Sequence, residues 1–442
     1  MFVGYSVTGR ERDNFIEEIE MLNQQNKQVS WKKEGLAGLI GYFTTVYIVA
    51  VNSQILESAG LPLESGMVAT ILASALGCLI MAIYANAPMV LIPGMGVNAL
   101  FAFSIVEGSG MGFQEGLAVV LVASLLFLAT AFTRLGDWLK HAIPSSLKHA
   151  ITVGLGLFLT LIGLEKGGLV VRGEHSLITL GNPSSAIVIT SILTLFIGIF
   201  LFTRNVPGNF LVTMVAGTII AHFTGLLGER GEMIELQEQT WVFMPDFSSI
   251  GQFGFWMAVF PLAIVLIFEN MGLIHGQLNM LDQEEKFKRS YQASAFSALT
   301  TGFLGTSPTV SSAESAAVIA SGGKSGRAAL TMSVLFLGTL LFIPWISMVP
   351  STAIAPILII VGALMVQNIK EIPLDQLSEA MPAFLIIVMI PFTYSIADGM
   401  AFGFIAYPIV KFAIGKQREL STPVVLIAMV FLIEFIMRSL GH

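Results

Sequence analysis

Two carboxylates lie in apolar surroundings that give them no obvious partner. Glu269 sits in "VLIFENMGLIHG" and Glu314 in "GFLGTSPTVSSAESAAVIASGG", residues 302–323. Holding an ionised carboxylate at bilayer depth costs at least about 2.5–3.5 kcal/mol, so such a group usually faces a cavity and marks a substrate or proton path. Either acid could exchange a proton or hydrogen-bond a ligand, and the bland alternative is a buried pair that only fixes helix packing. Asn98 lies five residues after Pro93, much as Glu314 lies six after Pro308. Its amide offers both donor and acceptor to a polar ligand, or equally to the facing backbone. Phe101, Phe103 and Phe268 are candidates to stack on a planar ligand, with packing the default for each. Asp398 in "TYSIADGMAFGF" reads as a helix cap. His275, six residues beyond Glu269, falls on roughly the opposite helix face and reads as structural or interfacial.

Competing chemistries lack their signatures. There is no HExxH, no GxSxG and no P-loop, and "GGKSGR" at 322–327 lacks Walker spacing. An intramembrane enzyme or an ATP-driven pump is therefore unsupported, and no cofactor or metal is expected. Cys78, the single cysteine, excludes an intrachain disulfide framework. A net charge of −7 gives no sign of a nucleic-acid partner.

The elements that must position these residues are membrane spans. Of 442 residues, 55 % are hydrophobic and 12 % charged, and mean hydropathy is +0.80, whereas a soluble domain carries about 25 % charged residues. Apolar runs able to cross a hydrocarbon core fall at 35–57, 66–84, 88–106, 114–133, 146–165, 184–203, 208–228, 255–278, 288–305, 308–320, 326–347, 350–368, 380–396 and 398–414. Residues 1–32 form a polar tail without a secretory-signal pattern, expected in the cytoplasm. Lys32 and Lys33 place it there. The alternate loops then carry Arg134, Lys140 and Lys148, Arg204, Lys286 to Arg289, Lys324 and Arg327, Lys370, and Lys416 and Arg418, all on one side. The acidic loop "GERGEMIELQEQTWVFMPDFSS" falls on the other. A further apolar run at 420–439, within a C-terminal hydrophobic segment 416–442, is either an extra crossing or a sign that two earlier segments are one broken helix.

Seven spans in 33–230 and seven in 252–415 fit a duplicated unit inserted upside down, the plan of many secondary transporters. The third span of each half is short and interrupted by Pro and Gly: "NAPMVLIPGMGVNALFAF" (86–103) and "GTSPTVSSAESAAVIASG" (305–322). Pro93 and Pro308 suit the first turn of new half-helices. The extended stretches before them, "APMVLI" and "GFLGTS", would then pair as short strands, because lipid cannot satisfy their backbone. Half-helix N-termini would point unpaired N–H groups into a cavity.

At these residues the chain resembles the AzgA-like purine permeases, a branch of the nucleobase:cation symporters. The resemblance rests on "GYFTTVYIVAVNSQIL" (41–56), "NAPMVLIPGMGVNALFAF" (86–103), "GTSPTVSSAESAAVIASGGKSGRAAL" (305–330) and "PFTYSIADGMAFGFIAY" (391–407). It implies an all-α polytopic fold of about fourteen spans in a seven-plus-seven inverted repeat, with short β-strands in spans three and ten. It also implies a core of spans 1–4 and 8–11, a gate of spans 5–7 and 12–14, and a homodimer in the plasma membrane. The family's acid in span ten matches Glu314, its asparagine in span three Asn98 and its acid in span eight Glu269. The two acids are thereby implied to bind the base and couple protons, with Phe268, Gly96, Ser312 and Ala313 completing the site. The branch usually has "FDT" in span eight where this chain has "FEN" (268–270). That longer acid is more like the uracil/xanthine relatives. The expectation is thus proton-coupled import of hypoxanthine, guanine or adenine. The alternatives are a uracil/xanthine-type symporter, an anion or organic-acid carrier of the same architecture, and, further off, a channel or receptor. A carrier of anions should show a cation near the half-helix tips, and none stands beside Pro93 or Pro308 in sequence.

Overall fold

A computed structural model describes residues 30–133, 135–136, 143–173, 176–227 and 241–439. Nearly all of the N-terminal tail, Arg134, Lys140 and most of the acidic loop lie outside the described residues. In chain order, each of the fourteen expected segments has a counterpart. The first half holds α1 (Trp31–Thr45), α2 (Ile48–Ser58), α3 (Leu63–Ile80), β1 (Leu91–Pro93), α4 (Met95–Ala99), α5 (Phe113–Phe132), α6 (Ser145–Lys166), a small hairpin of β2 (Val170–Val171) and β3 (Thr179–Leu180), α7 (Ala186–Thr203) and α8 (Asn209–Phe223). The second holds α9 (Phe253–Leu281), α10 (Phe287–Leu304), β4 (Thr309–Ser311), α11 (Ser315–Ala320), α12 (Gly326–Gly338), α13 (Ile343–Ile346), α14 (Ser351–Val366), α15 (Leu377–Thr393) and α16 (Ile396–Ala413). The run at 420–439 is a helix of its own, α17 (Thr422–Ser439), packed on α16 and α9.

The third segment of each half is broken, and the two breaks meet. β1 pairs antiparallel with β4 in the register Leu91–Ser311, Ile92–Val310, Pro93–Thr309. This is the relation that an inverted repeat imposes on its corresponding parts. A two-stranded sheet leaves two backbone edges unpaired, and inside a membrane those edges need protein partners. Asn270 and Gln277, on α9, supply them for β4. The Asn270 Oδ1 accepts from the Ser311 N–H at 2.9 Å, and the Gln277 amide donates to the Ser312 carbonyl at 2.7 Å. Just before β1, the pairing is extended by Val90, whose carbonyl accepts from the Ser312 N–H and whose N–H donates to the Ser315 hydroxyl, both at 3.0 Å.

The breaks correct the sequence reading in detail. Pro93 closes a strand instead of opening a helix, and α4 begins after Gly94. Pro308 precedes β4, so α11 begins only at Ser315 and Glu314 occupies the position before it, not six residues inside. "GFLGTS" is not a strand: it ends α10 at Leu304 and turns at Gly305, whose φ of 79° suits a helix C-terminus. The physical reason is that proline tolerates a strand end as readily as a helix start. The β-branched pair Thr309 and Val310 then finds its partner in β1. Asp398 is likewise not the cap of α16, since the Ser395 hydroxyl accepts from the Asp398 N–H at 3.2 Å.

Packing follows two groupings. α6 lies on α14 and α15, α14 also on α7 and α8, and α15 on α16; separately, α1 and α3 lie on α12, α3 and α5 on α10, and α5 on α9. Glycine permits the closest approach. A Cβ at Gly156 would stand 2.6 Å from the Gly362 carbonyl oxygen, so α6 and α14 meet backbone to backbone. The "GGKSGR" turn has a structural role here: buried Glu34 accepts from the Lys324 and Ala328 N–H groups at 2.8 and 3.2 Å, capping α12.

Candidate functional site

The sheet, the half-helices and α9 border a cavity of about 1440 Å³. Glu314, Ser312 and Ala313 line it from the turn between β4 and α11, Gly96 from the first turn of α4, and Phe268 and Glu269 from α9. Thus six of the seven expected site residues meet in one space. Asn98 does not: it is fully buried, does not line the cavity, and neither atom of its amide has a hydrogen-bond partner among the described residues. Phe101 and Phe103 pack edge-on against other rings, Phe113 for the first and Phe158 and Tyr394 for the second. His275 lines the same cavity as Glu269, against the expectation of an opposite helix face, with its ring against Phe287.

The two acids are held differently. Tyr47, at the bend between α1 and α2, donates its hydroxyl to Glu314 Oε1 at 2.7 Å, and the Ser312 hydroxyl donates to the other carboxylate oxygen. Tyr47 is itself packed at 4.9 Å on the Phe210 ring, so this acceptor is oriented by two separate elements. Glu269 Oε2 is buried with no hydrogen-bond partner among the described residues. One carboxylate is therefore preorganised and the other has spare acceptor capacity, which suits a ligand with N–H donors.

Three contributors carry no mark as site residues in the sequence, and a fourth, Asn270, is marked there only as part of the departure "FEN". Tyr47 was hidden because an aromatic in a span is packing by default. Asn270 and Gln277 look like ordinary polar residues until the strand they serve is seen. Lys148 counted only as a loop charge, yet its ammonium enters the cavity and stands 4.8 Å from the centroid of Phe268. The fold therefore brings a cation to the site although none adjoins Pro93 or Pro308 in sequence. Among the described residues, no group of three or more His, Cys, Asp or Glu could hold a metal.

Ser145, Asn205, Pro207, Glu284 and Asn368, at helix ends and loops, also line the cavity. The opposite helix ends are tied together. Lys166 reaches the Gln54 carbonyl and the Ser58 hydroxyl, both at 3.4 Å, and the Ile396 N–H donates to Ser104 Oγ at 2.9 Å.

Paired half-helices that meet at short strands around a cavity follow the plan of a membrane transporter with multiple spans. Residues 32–402 match the family profile Xan_ur_permease, "Permease family", and the chain belongs to that family. It is 41 % identical over 421 residues to the nucleobase transporter PlAzg2 of Paenibacillus larvae, covering 92 % of this chain and 83 % of that one. It is 39 % identical to the guanine/hypoxanthine permease PbuO of Bacillus subtilis (94 % and 99 % covered) and 33 % to the adenine permease AdeP of Escherichia coli (92 % and 93 %). Among solved structures, the transmembrane domain of the cyanobacterial bicarbonate transporter BicA superposes with a TM-score of 0.68 at 16 % identity, covering 83 % of this chain and 96 % of that one. Murine Slc26a9 in its inward-facing state gives 0.65 at 16 % identity, with 93 % and 73 % covered. At such identity these two likenesses establish the fold alone.

Proposed function

We propose that the chain imports purine nucleobases across the plasma membrane by proton symport. The observation that carries this reading is the convergence of Glu314 and Glu269 in one cavity, with Phe268 beside them. Two acceptors and a ring face complement a flat heterocycle bearing N–H donors. The names of the relatives point the same way. The substrate-binding set is Glu314, Glu269, Phe268, Ser312, Ala313 and Gly96, with Asn98 acting from behind the half-helix. Glu269 and Glu314 exchange the coupling proton.

Spans 1–4 and 8–11 carry the base, and spans 5–7 and 12–14 form the frame against which they slide. The two packing groupings support that division. Ser145, Asn205, Glu284 and Asn368, beside the Lys- and Arg-rich loops, line the cavity, which supports an opening on that side; by the positive-inside rule it is the cytoplasmic side, where the N-terminus also lies. The ties at Lys166 and Ser104 close the outer side and break when the carrier turns outward. Gate helices pair the chain into a homodimer.

The test is uptake of radiolabelled hypoxanthine into proteoliposomes with and without an imposed inward proton gradient. Uptake that saturates and rises with the gradient is expected. Uptake indifferent to the gradient sinks the symport reading, and none for any purine sinks the substrate reading.

A further inference from the structure

We infer that Lys148 selects 6-oxopurines over adenine by donating to the carbonyl oxygen of the bound base, which deepens the nucleobase reading above and rests on it. Three observations meet here. Lys148 is the sole lysine or arginine among the described residues that line the cavity. Its ammonium stands 4.8 Å from the centroid of Phe268, the residue next to Glu269. It comes from α6, whereas both carboxylates come from the second half of the chain.

A base that stacks on Phe268 takes the place of the ammonium at that ring face and leaves it beside the edge of the base. A ring face is a weaker partner for a cation than a carbonyl oxygen is. A 6-oxopurine presents a carbonyl next to an N–H on one edge. Glu269 Oε2, buried and without a partner among the described residues, accepts the N–H, and Lys148 donates to the carbonyl. Adenine presents an amino group where the oxopurine has oxygen and an acceptor nitrogen where it has the N–H, so its amino donor faces the ammonium and its ring nitrogen faces the Glu269 carboxylate oxygen. Discrimination thus combines an added attraction for one base with a mismatch for the other. The long flexible stem of lysine lets a residue in the first turns of α6 reach this position.

The experiment is equilibrium binding of radiolabelled hypoxanthine to the purified full-length protein in nanodiscs, competed by guanine and adenine. Wild type, Lys148→Met and Lys148→Arg are compared, and melting profiles check that each is folded. Wild type is expected to prefer hypoxanthine and guanine. Lys148→Met should weaken hypoxanthine by roughly 10- to 100-fold and adenine by less than about threefold, the span expected for one lost charge-assisted hydrogen bond. Lys148→Arg, which keeps the donor, should retain the preference. A wild type that prefers adenine, or a Lys148→Met protein with an unchanged hypoxanthine-to-adenine ratio, overturns the inference while leaving a nucleobase site in place. A wild type that binds none of the three bases overturns the nucleobase reading itself, and this inference with it.

Discussion

Asn270 is the departure in "FEN" whose cost can be worked from geometry. It is fully buried, as are its partners Ser311 and Ser294. Its Oδ1 accepts from the Ser311 N–H at 2.9 Å and from the Ser294 hydroxyl at 2.6 Å, while its Nδ2 donates to the Leu266 carbonyl one turn back at 2.9 Å. Asn270→Leu keeps the branched shape of the side chain and removes all three bonds. The Leu266 carbonyl lies within α9 and loses little. The Ser311 N–H sits on the outer edge of β4 and loses the acceptor the amide supplies, and an unsatisfied buried donor costs about 1–3 kcal/mol. The Ser294 hydroxyl can turn to another acceptor, adding about 1 kcal/mol at most. The variant should therefore be destabilised by about 1–4 kcal/mol. Hypoxanthine affinity should fall as well, because β4 leads directly into Ser312 and Glu314. Equilibrium unfolding in mixed micelles reads the first effect and binding the second. Ser294→Ala alone should cost about 1 kcal/mol and should cost nearly nothing in the Asn270→Leu background, since the two share one bond. Wild-type stability and affinity in Asn270→Leu, or full additivity with Ser294→Ala, would refute the view that this amide secures the sheet edge.

Three further outcomes follow from the same geometry. Glu314→Gln should abolish or severely weaken hypoxanthine uptake with the melting profile preserved, because one of the Tyr47 and Ser312 hydroxyls can still donate to the amide oxygen while the other accepts from the amide N–H; uptake at the wild-type rate would remove Glu314 from the site. Gly156→Leu should destabilise the protein by about 1–3 kcal/mol or more through overpacking, read as lost monodisperse protein after extraction, since a Cβ there already lies 2.6 Å from the Gly362 carbonyl oxygen. Lys411, 2 % exposed, pairs with Glu379 at 2.6 Å and with Glu419 at 2.5 Å. Lys411→Met leaves the half-buried Glu379 without its cation and should cost about 3 kcal/mol, the low end for a broken buried pair, whereas Glu419→Gln, at a residue 51 % exposed, should cost far less; equal unfolding midpoints for the two variants would refute this.

The spans were legible because each is an apolar run that water would not tolerate, and the acids because ionised groups at bilayer depth need a reason to be there. Three-residue strands have no such signal, since they are too short to show a period. The prolines mark where the helices break, but a proline fits a strand end and a helix start equally well. Only the partner strand decides, and it lies more than two hundred residues away in the chain.

The internal symmetry misled in one respect that is itself informative. Asn98 and Glu314 occupy similar places after their prolines, yet Glu314 lines the cavity and Asn98 does not. The two half-helices differ in how they begin. α4 starts two residues after Pro93, so Asn98 lies within its first turns and points into the packed interior. α11 starts seven residues after Pro308, and the extra strand and turn hold Glu314 at the helix entrance. An inverted repeat makes the two backbones equivalent, whereas the side-chain chemistry of a site with one ligand has no need to be. The cation follows the same logic from the opposite direction. Lys148 counts as a topological charge in the sequence, and only the packing of α6 against the cavity gives it a second role beside Phe268.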